Sequence, residues 1–133
     1  MTFAIVLDSS LPPGLAANAA AVLAMSVGKR FPEYVGNDVC DRDGSPHRGI
    51  TSVPLPILAL DAAALGRLRE TARTARGIWM ADFTHVARAA RDYGTYARDL
   101  AGIGGAELGY VGIVLAGEKA DLKRLTGSLP LFR

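Results

Sequence analysis

The stretch that decides the fold is FAIVLDSSLPPGLAANAAAVLAMSVGKRF, residues 3–31. It begins with a continuous apolar run, FAIVL, and continues with DSSLPPG, which is typical of a buried strand that ends in a turn. Pro12 and Pro13 suit the first turn of a helix, where a missing backbone N–H leaves no hydrogen bond unmade. An alanine-rich helix is then predicted to about Gly28–Arg30, because a glycine and two basic residues precede Pro32.

The composition predicts one soluble globular domain over residues 1–133. Half of the residues are apolar, and no apolar run approaches the ~18 residues of a membrane helix, which argues against a membrane partner. The start MTFAIVLDSS lacks the basic segment and cleavage site of a secretory signal, and Cys40 is the only cysteine, so we expect a cytoplasmic protein. The 15 basic and 13 acidic residues are interspersed, which argues against nucleic acid as a partner.

Three further strands and three further helices follow from the pattern. The strands are ILAL (57–60), IWMADF (78–83) and LGYVGIVLAG (108–117). The helices run from a cap at Asp61 to about Gly77, over THVARAARDYGTYARDLA (84–101), and from Asp121 to Leu125, before an extended end in GSLPLFR. Alternating strands and helices predict a three-layer α/β/α domain with a mixed sheet of about four strands and helices on both faces.

Arginine is concentrated in one part of the chain. Seven arginines lie between residues 61 and 100, at positions Arg67, Arg69, Arg73, Arg76, Arg88, Arg91 and Arg98. A solvated helix face is the favoured interpretation, and a surface that binds an anion or phosphate is the alternative.

FPEYVGNDVCDRDGSPHRG, residues 31–49, is predicted to be a long loop or a short excursion. Asp41 and Asp43 have the D-x-D-G spacing of a calcium loop, but the preceding ligand position is apolar and the late glutamate is absent. Cys40 and His47 could join the two aspartates around a transition metal or form a nucleophile pair, yet nothing nearby predicts a lowered thiol pKa. We therefore predict no metal and no cofactor.

ADFTH places polar residues where the third strand passes into a helix. Either Asp82 or Thr84 can cap that helix, while ligands of open α/β sheets bind outside the carboxyl ends of strands. One of the two can cap while the other serves a site. Asn18 is the only polar side chain between Leu11 and Met25, and it either packs between helices or lines a site that alanines leave open.

Tyr93 and Tyr96 lie three residues apart and share a helical face. Packing in a core or an interface is favoured over ligand stacking. Together with the alanine-rich helix face, this pair motivates the expectation of a homodimer.

Four segments carry a resemblance to a known fold. FAIVLDSSLPPGLAANAAAVLA resembles the opening strand, turn and G-K-x-A-A-Q helix of type 2 peptidyl-tRNA hydrolases, and ADLKRLTGSLPLF resembles their closing A-D-L…T-G-x-L-x-L segment. DRDGSPHRGI and PLPIL resemble an uncharacterised bacterial branch, the DUF2000 family. The resemblance covers nearly the whole chain and implies a fold similar to that of peptidyl-tRNA hydrolase type 2.

The functional residues of the hydrolases correspond only in part. AAN at residues 16–18 falls where the hydrolases have Ala-Ala-Gln, but Gly14 and Leu15 precede it where their essential lysine would sit. Asp82 falls near their strand-end Asp-Ala-Gly, and the helix over 84–101 has no recognised counterpart. The resemblance implies that the acid is kept, the cation is lost, and small side chains at the helix start keep a cleft open.

Two functions remain open at this point. The first is a small-ligand enzyme of hydrolase type, in which Asp82 works with Thr84 or His47 as a proton-transfer partner. The second is a non-catalytic binding or assembly module on the same fold. The candidate catalytic residues are Asp82, Thr84 and His47, and the candidate ligand-binding residues are Asn18, Gly14 and His85; we expect Asp82 to line a pocket with Asn18, Thr84 and His47.

Overall fold

The computed structural model describes residues 1–133. Its strands are β1 (Thr2–Asp8), β2 (Val39–Cys40), β3 (Pro46–His47), β4 (Ile57–Leu60), β5 (Trp79–Thr84) and β6 (Tyr110–Gly117). Its helices are α1 (Pro13–Arg30), α2 (Ala62–Thr74), α3 (His85–Ala89), α4 (Tyr93–Ala101) and α5 (Lys119–Thr126). No helix has both the length and the apolar character that crossing a membrane requires.

The main sheet has four strands in the order β4-β1-β6-β5. β1 and β4 are parallel, while β6 is antiparallel to both β1 and β5. The predicted mixed sheet is therefore confirmed. It follows from this topology that β1, β4 and β5 run in the same direction, so their carboxyl ends meet at one edge together with the start of β6.

Helices cover both faces of the sheet. α1 packs Leu23 and Val27 against one face, and α2 and α5 pack Leu65 and Leu122 against the other. β1 and β6 lie in the centre and are buried along nearly their whole length, as the continuous apolar run FAIVL predicts for a strand covered on both sides.

A β-bulge changes the face of the sheet on which Tyr110 lies. The pairing of β5 with β6 shifts register between Phe83 and Thr84, so that Phe83 pairs with Gly112 and Thr84 with Tyr110. Strict alternation from Ile113 would direct Tyr110 toward α1. The extra residue instead places Tyr110 in the cluster on the α2 side, which also contains Ile113.

The sequence predicts one continuous helix over 84–101, and this prediction is wrong. It is divided into α3 and α4, and Asp92 begins the second helix because its Oδ1 accepts a hydrogen bond from the Thr95 N–H at 2.8 Å. An aspartate side chain that caps a new helix N-terminus favours ending the preceding helix over continuing it.

The segment over 31–49 contains more order than a loop. A 3-10 turn at Pro32–Tyr34 is followed by the two-stranded hairpin β2–β3. The Asp41 carboxylate accepts hydrogen bonds from the N–H groups of Asp43 and Ser45. The D-x-D-G pattern is thus the turn of a hairpin.

The end of the chain is extended, as predicted, and lies along β4. The Ala59 N–H donates to the Pro130 carbonyl at 2.9 Å, and the Phe132 N–H donates to the Ile57 carbonyl at 2.8 Å. The last residues therefore cover the outer side of β4, while β5 forms the opposite edge of the sheet without a neighbouring strand.

Candidate functional site

Asp82 lies on β5 and is bound by an arginine from α2. Alternation along the strand directs Met80 and Asp82 toward the α2 side of the sheet. Arg69 donates to Oδ2 of Asp82 from Nε at 3.0 Å and from Nη2 at 2.9 Å. Oδ1 accepts no hydrogen bond from the protein, and 20% of the Asp82 side chain is exposed.

Arg69 is itself held on three sides. Its Cζ lies 5.3 Å from the centre of the Tyr110 ring, and its Nη1 donates to Glu70 Oε1 at 2.9 Å. Only 19% of the Arg69 side chain is exposed. Burial disfavours its charged form, but the hydrogen bond and the charge of Asp82 outweigh this effect and raise the pKa of the guanidinium.

Two phenols complete the surroundings of Asp82. Burial raises the pKa of Tyr110, Arg69 acts in the opposite direction, and the Asp82 charge adds to the increase. Burial, followed by the Asp82 charge, also raises the pKa of Tyr96. Both hydroxyls remain protonated at neutral pH and can donate hydrogen bonds. We refer to Arg69, Asp82, Tyr96 and Tyr110 as the Asp82 network.

A groove of about 440 Å³ follows the edge of the sheet. We name it the β5 groove; its walls include Asn18 and Val22 of α1, Asp82, Arg88, Arg91 and Tyr96. The structure therefore brings Asn18 and Asp82 to one concave surface. Carboxylate, amide, phenol and guanidinium groups from separate elements converge on it, which is the polar arrangement typical of a ligand site.

The other predicted site residues lie elsewhere. Thr84 is buried, and its Oγ1 accepts a hydrogen bond from the Ala87 N–H at 3.1 Å, so it caps α3. His47 contacts Asp41 Oδ2 at 2.9 Å within the β2–β3 hairpin. Gly14 in the first turn of α1 and the exposed His85 do not line the β5 groove.

The alanine-rich start of α1 borders a separate apolar cleft. Leu11, Ala16, Ala17 and Phe132 are among the residues that line its volume of about 340 Å³. The small side chains leave an open space here.

The cysteine and histidine of the hairpin do not meet acidic side chains in a metal-binding arrangement. Cys40 is exposed, Asp41 is occupied by the hairpin turn and His47, and no three His, Cys, Asp or Glu side chains converge to hold a metal ion.

Sequence reasoning does not single out Arg69 or Tyr110. One signal for Arg69 is present in the sequence, because it lies four residues after the buried Leu65 and so falls on the stripe of α2 that faces the sheet. An arginine on such a stripe requires a partner, and Asp82 is that partner. Tyr110 gives no comparable signal, since the bulge decides which face it occupies.

Comparisons with known proteins agree with this fold. A solved structure of a protein of unknown function from Agrobacterium tumefaciens strain C58 superposes with a TM-score of 0.90 at 17% identity, covering 99% of this chain and 97% of that chain. No curated protein matches the sequence at a significant level. The family model described as "Protein of unknown function (DUF2000)" matches residues 1–133, so the expected membership is confirmed, and the chain belongs to the DUF2000 family.

Proposed function

We propose that the chain is a small-molecule enzyme whose site is the β5 groove, with Asp82 as the carboxylate that contacts the ligand. One observation carries the proposal. Oδ2 of Asp82 is fixed by Arg69, Oδ1 has no protein hydrogen bond, and Asp82 is among the residues that line a groove of about 440 Å³.

The arrangement suits proton transfer or the orientation of a ligand hydroxyl, amine or water. Arg69 holds the carboxylate in one orientation, so Oδ1 is directed without a loss of side-chain freedom at the moment of binding. Asn18 offers both a donor and an acceptor, and the Tyr96 hydroxyl offers a donor near the same carboxylate. General acid–base chemistry on a small polar substrate, including hydrolysis, is the reaction class that these groups support.

We further propose that the fold is related to that of the type 2 peptidyl-tRNA hydrolases. The proposal is supported by the strand, turn and helix formed by β1 and α1 and by the helix α5 followed by an extended end. Gly14 and Leu15 stand in place of the hydrolase lysine. The proposed enzyme therefore differs from those hydrolases in the groups that contact its substrate.

A non-catalytic binding module is the second candidate. It is favoured by the positions of Thr84 and His47, because the two predicted proton-transfer partners of Asp82 are bonded elsewhere. In such a module, the residues that line the β5 groove would hold a ligand and release it unchanged.

A metabolite panel tests the site, with thermal shift as the first measurement. A molecule that binds the native chain raises the unfolding temperature. We expect the ligand to cause no rise in the unfolding temperature of Asp82→Asn, because asparagine keeps the shape of the carboxylate but not its charge or proton affinity. Asp99→Asn is the matched control, since Asp99 lies on α4 outside the β5 groove.

Proton NMR of each stabilising compound then separates the two candidates. Conversion of the compound by the wild-type chain, lost in Asp82→Asn, supports the enzyme. Binding that Asp82→Asn abolishes, without conversion, supports the binding module. Binding and conversion that both survive Asp82→Asn contradict the assignment of the site, as does binding that survives when no conversion occurs in the wild-type chain.

A further inference from the structure

A second depression lies on the α2 side of the sheet and shares no lining residue with the β5 groove. It is an open basin of about 900 Å³ between α2 and the segment that leads into β6. We name it the arginine basin, and the lining residues used below are Gly66, Arg67, Arg69, Arg73, Gly105 and Tyr110.

The Tyr110 hydroxyl is the first observation that points to a ligand. Tyr110 borders the basin and is only 6% exposed. Its hydroxyl is buried and has no hydrogen-bond partner. Buried polar groups in folded proteins are nearly always paired, and a ligand oxygen in the basin would supply the acceptor that this hydroxyl lacks.

The charge of the basin is the second observation. Three guanidinium groups line it, and Glu70 is the only carboxylate among the lining residues. Arg69 and Arg73 both contact Glu70, at 2.9 and 3.3 Å, whereas Arg67 is exposed and makes no ion pair. Planar guanidinium groups match the geometry of carboxylate and phosphate oxygens.

Two glycines keep the basin open. A Cβ atom built on Gly66 or Gly105 meets no atom within 4 Å, so close packing does not require glycine at either position. Neither residue has a positive φ, so the backbone does not require it either. Gly66 is unfavourable within a helix, and the space it leaves is occupied by nothing in the chain.

We infer that the arginine basin binds a small molecule that carries a carboxylate or phosphate group, with Arg67 contacting the oxyanion and Tyr110 donating a hydrogen bond to it. Arg69 is paired with Asp82 and Glu70 beside the Tyr110 ring, so Arg67 is the guanidinium left to pair with the oxyanion. This site is additional to the proposed activity in the β5 groove. Because the two surfaces share no lining residue, either proposal can fail without the other.

Amide NMR titration tests the inference at fixed pH and ionic strength. Phenyl phosphate and benzoate are the two anionic probes, and benzamide is the neutral probe of similar size. We expect saturable shifts of the amides at 66–67 and 105–108 with at least one anion and none with benzamide. The anion that saturates at the lower concentration identifies the preferred group.

Three variants locate the binding. Tyr110→Phe should raise the Kd about tenfold without lowering the unfolding temperature, because the hydroxyl has no partner to lose. Arg67→Gln should weaken the binding of both anions, and Gly66→Leu should abolish their binding because its side chain fills the basin. Gly28→Leu is the control, since Gly28 is also a helical glycine with open space around it but lies on α1.

The inference is overturned if neither anion shifts these amides saturably. It is equally overturned if Tyr110→Phe, Arg67→Gln and Gly66→Leu all bind with the wild-type Kd. Circular dichroism of each variant confirms that it is folded before its Kd is interpreted.

Discussion

Arg69 and Asp82 join α2 to the edge strand through a single carboxylate oxygen, because Nε and Nη2 of the arginine both donate to Oδ2. Each side chain is about four-fifths buried. The pair therefore connects the helix to the sheet and leaves Oδ1 without a hydrogen bond from the protein. Removing Arg69 leaves Asp82 with an uncompensated, partly buried charge, whereas Arg69 without Asp82 keeps its contact with Glu70.

Arg69→Leu should lower the free energy of unfolding by about 1–3 kcal/mol, since charge-assisted hydrogen bonds contribute this much and Asp82 is left unpaired. Arg67→Leu is the matched control on the same helix, and as an exposed residue without an ion pair it should change stability by less than about 0.5 kcal/mol. Urea unfolding measures both. Equal losses in the two variants would show that the Arg69–Asp82 pair does not stabilise the fold.

Thr84→Ala should lower the free energy of unfolding by about 1 kcal/mol, because α3 loses its N-terminal cap. Thr84→Ser should retain most of the stability, because serine also presents a hydroxyl to the Ala87 N–H. Hydrogen exchange at Ala87 reports on the cap directly. If Thr84→Ala left this exchange rate unchanged, the hydroxyl would not act as a cap.

Replacement of two glycines by alanine should change the stability of the chain in opposite directions. Gly66→Ala should stabilise the chain by about 0.5–1 kcal/mol, because it favours the helix and meets no neighbour. Gly112→Ala should destabilise it by about 1–3 kcal/mol, since the new Cβ would lie 2.6 Å from Leu7 Cδ2 and 3.0 Å from the Val6 carbonyl oxygen. Thermal unfolding of each variant shows whether its stability rises or falls.

Asp41 should titrate below its ordinary value of 3.8. The hydrogen bond from His47, followed by that from the Ser45 N–H, lowers the pKa of this carboxyl. A lowered pKa means that the stabilisation of the hairpin is present above pH 3.8 and is lost as the pH falls through the lowered value. Carbon-detected NMR of the Asp41 carboxyl measures the midpoint, and a midpoint at or above 3.8 contradicts the prediction. His47→Ala should move the midpoint upward.

The chain should hydrolyse peptidyl-tRNA poorly. A correctly placed cation contributes on the order of 10²–10³ in rate, and neither Gly14 nor Leu15 supplies one. Cleavage of a peptidyl-tRNA mimic, measured beside a lysine-bearing hydrolase, provides the comparison. Equal rates would mean that a different residue provides the charge.

Local sequence patterns predict most of the secondary structure because those elements depend on neighbouring residues. ILAL at 57–60 coincides with β4, and Asp61 caps α2 by accepting from the Ala64 N–H at 2.9 Å. The division between α3 and α4 is harder to predict, since capping by Asp92 competes with a helical pattern that continues on both sides of it.

The candidate site is predictable only in part, because it depends on contacts between distant elements. Asp82 could be identified from its place near the end of an apolar strand, and Asn18 from its isolation among alanines. The partnership of Asp82 with Arg69 requires the helix to be placed over the strand. Thr84 and His47 are polar residues whose hydrogen bonds are satisfied locally, and the sequence offers no means to distinguish them from residues that face a ligand.

The bulge in β6 shows that the pairing of a strand can relocate a side chain without any change in the sequence. Continuous pairing of β6 with β5 through Val111 would place the Tyr110 phenol on the α1 side of the sheet, whereas the bulge returns it to the α2 side. The arginine basin therefore depends on one backbone irregularity as much as on the identity of the residues that line it.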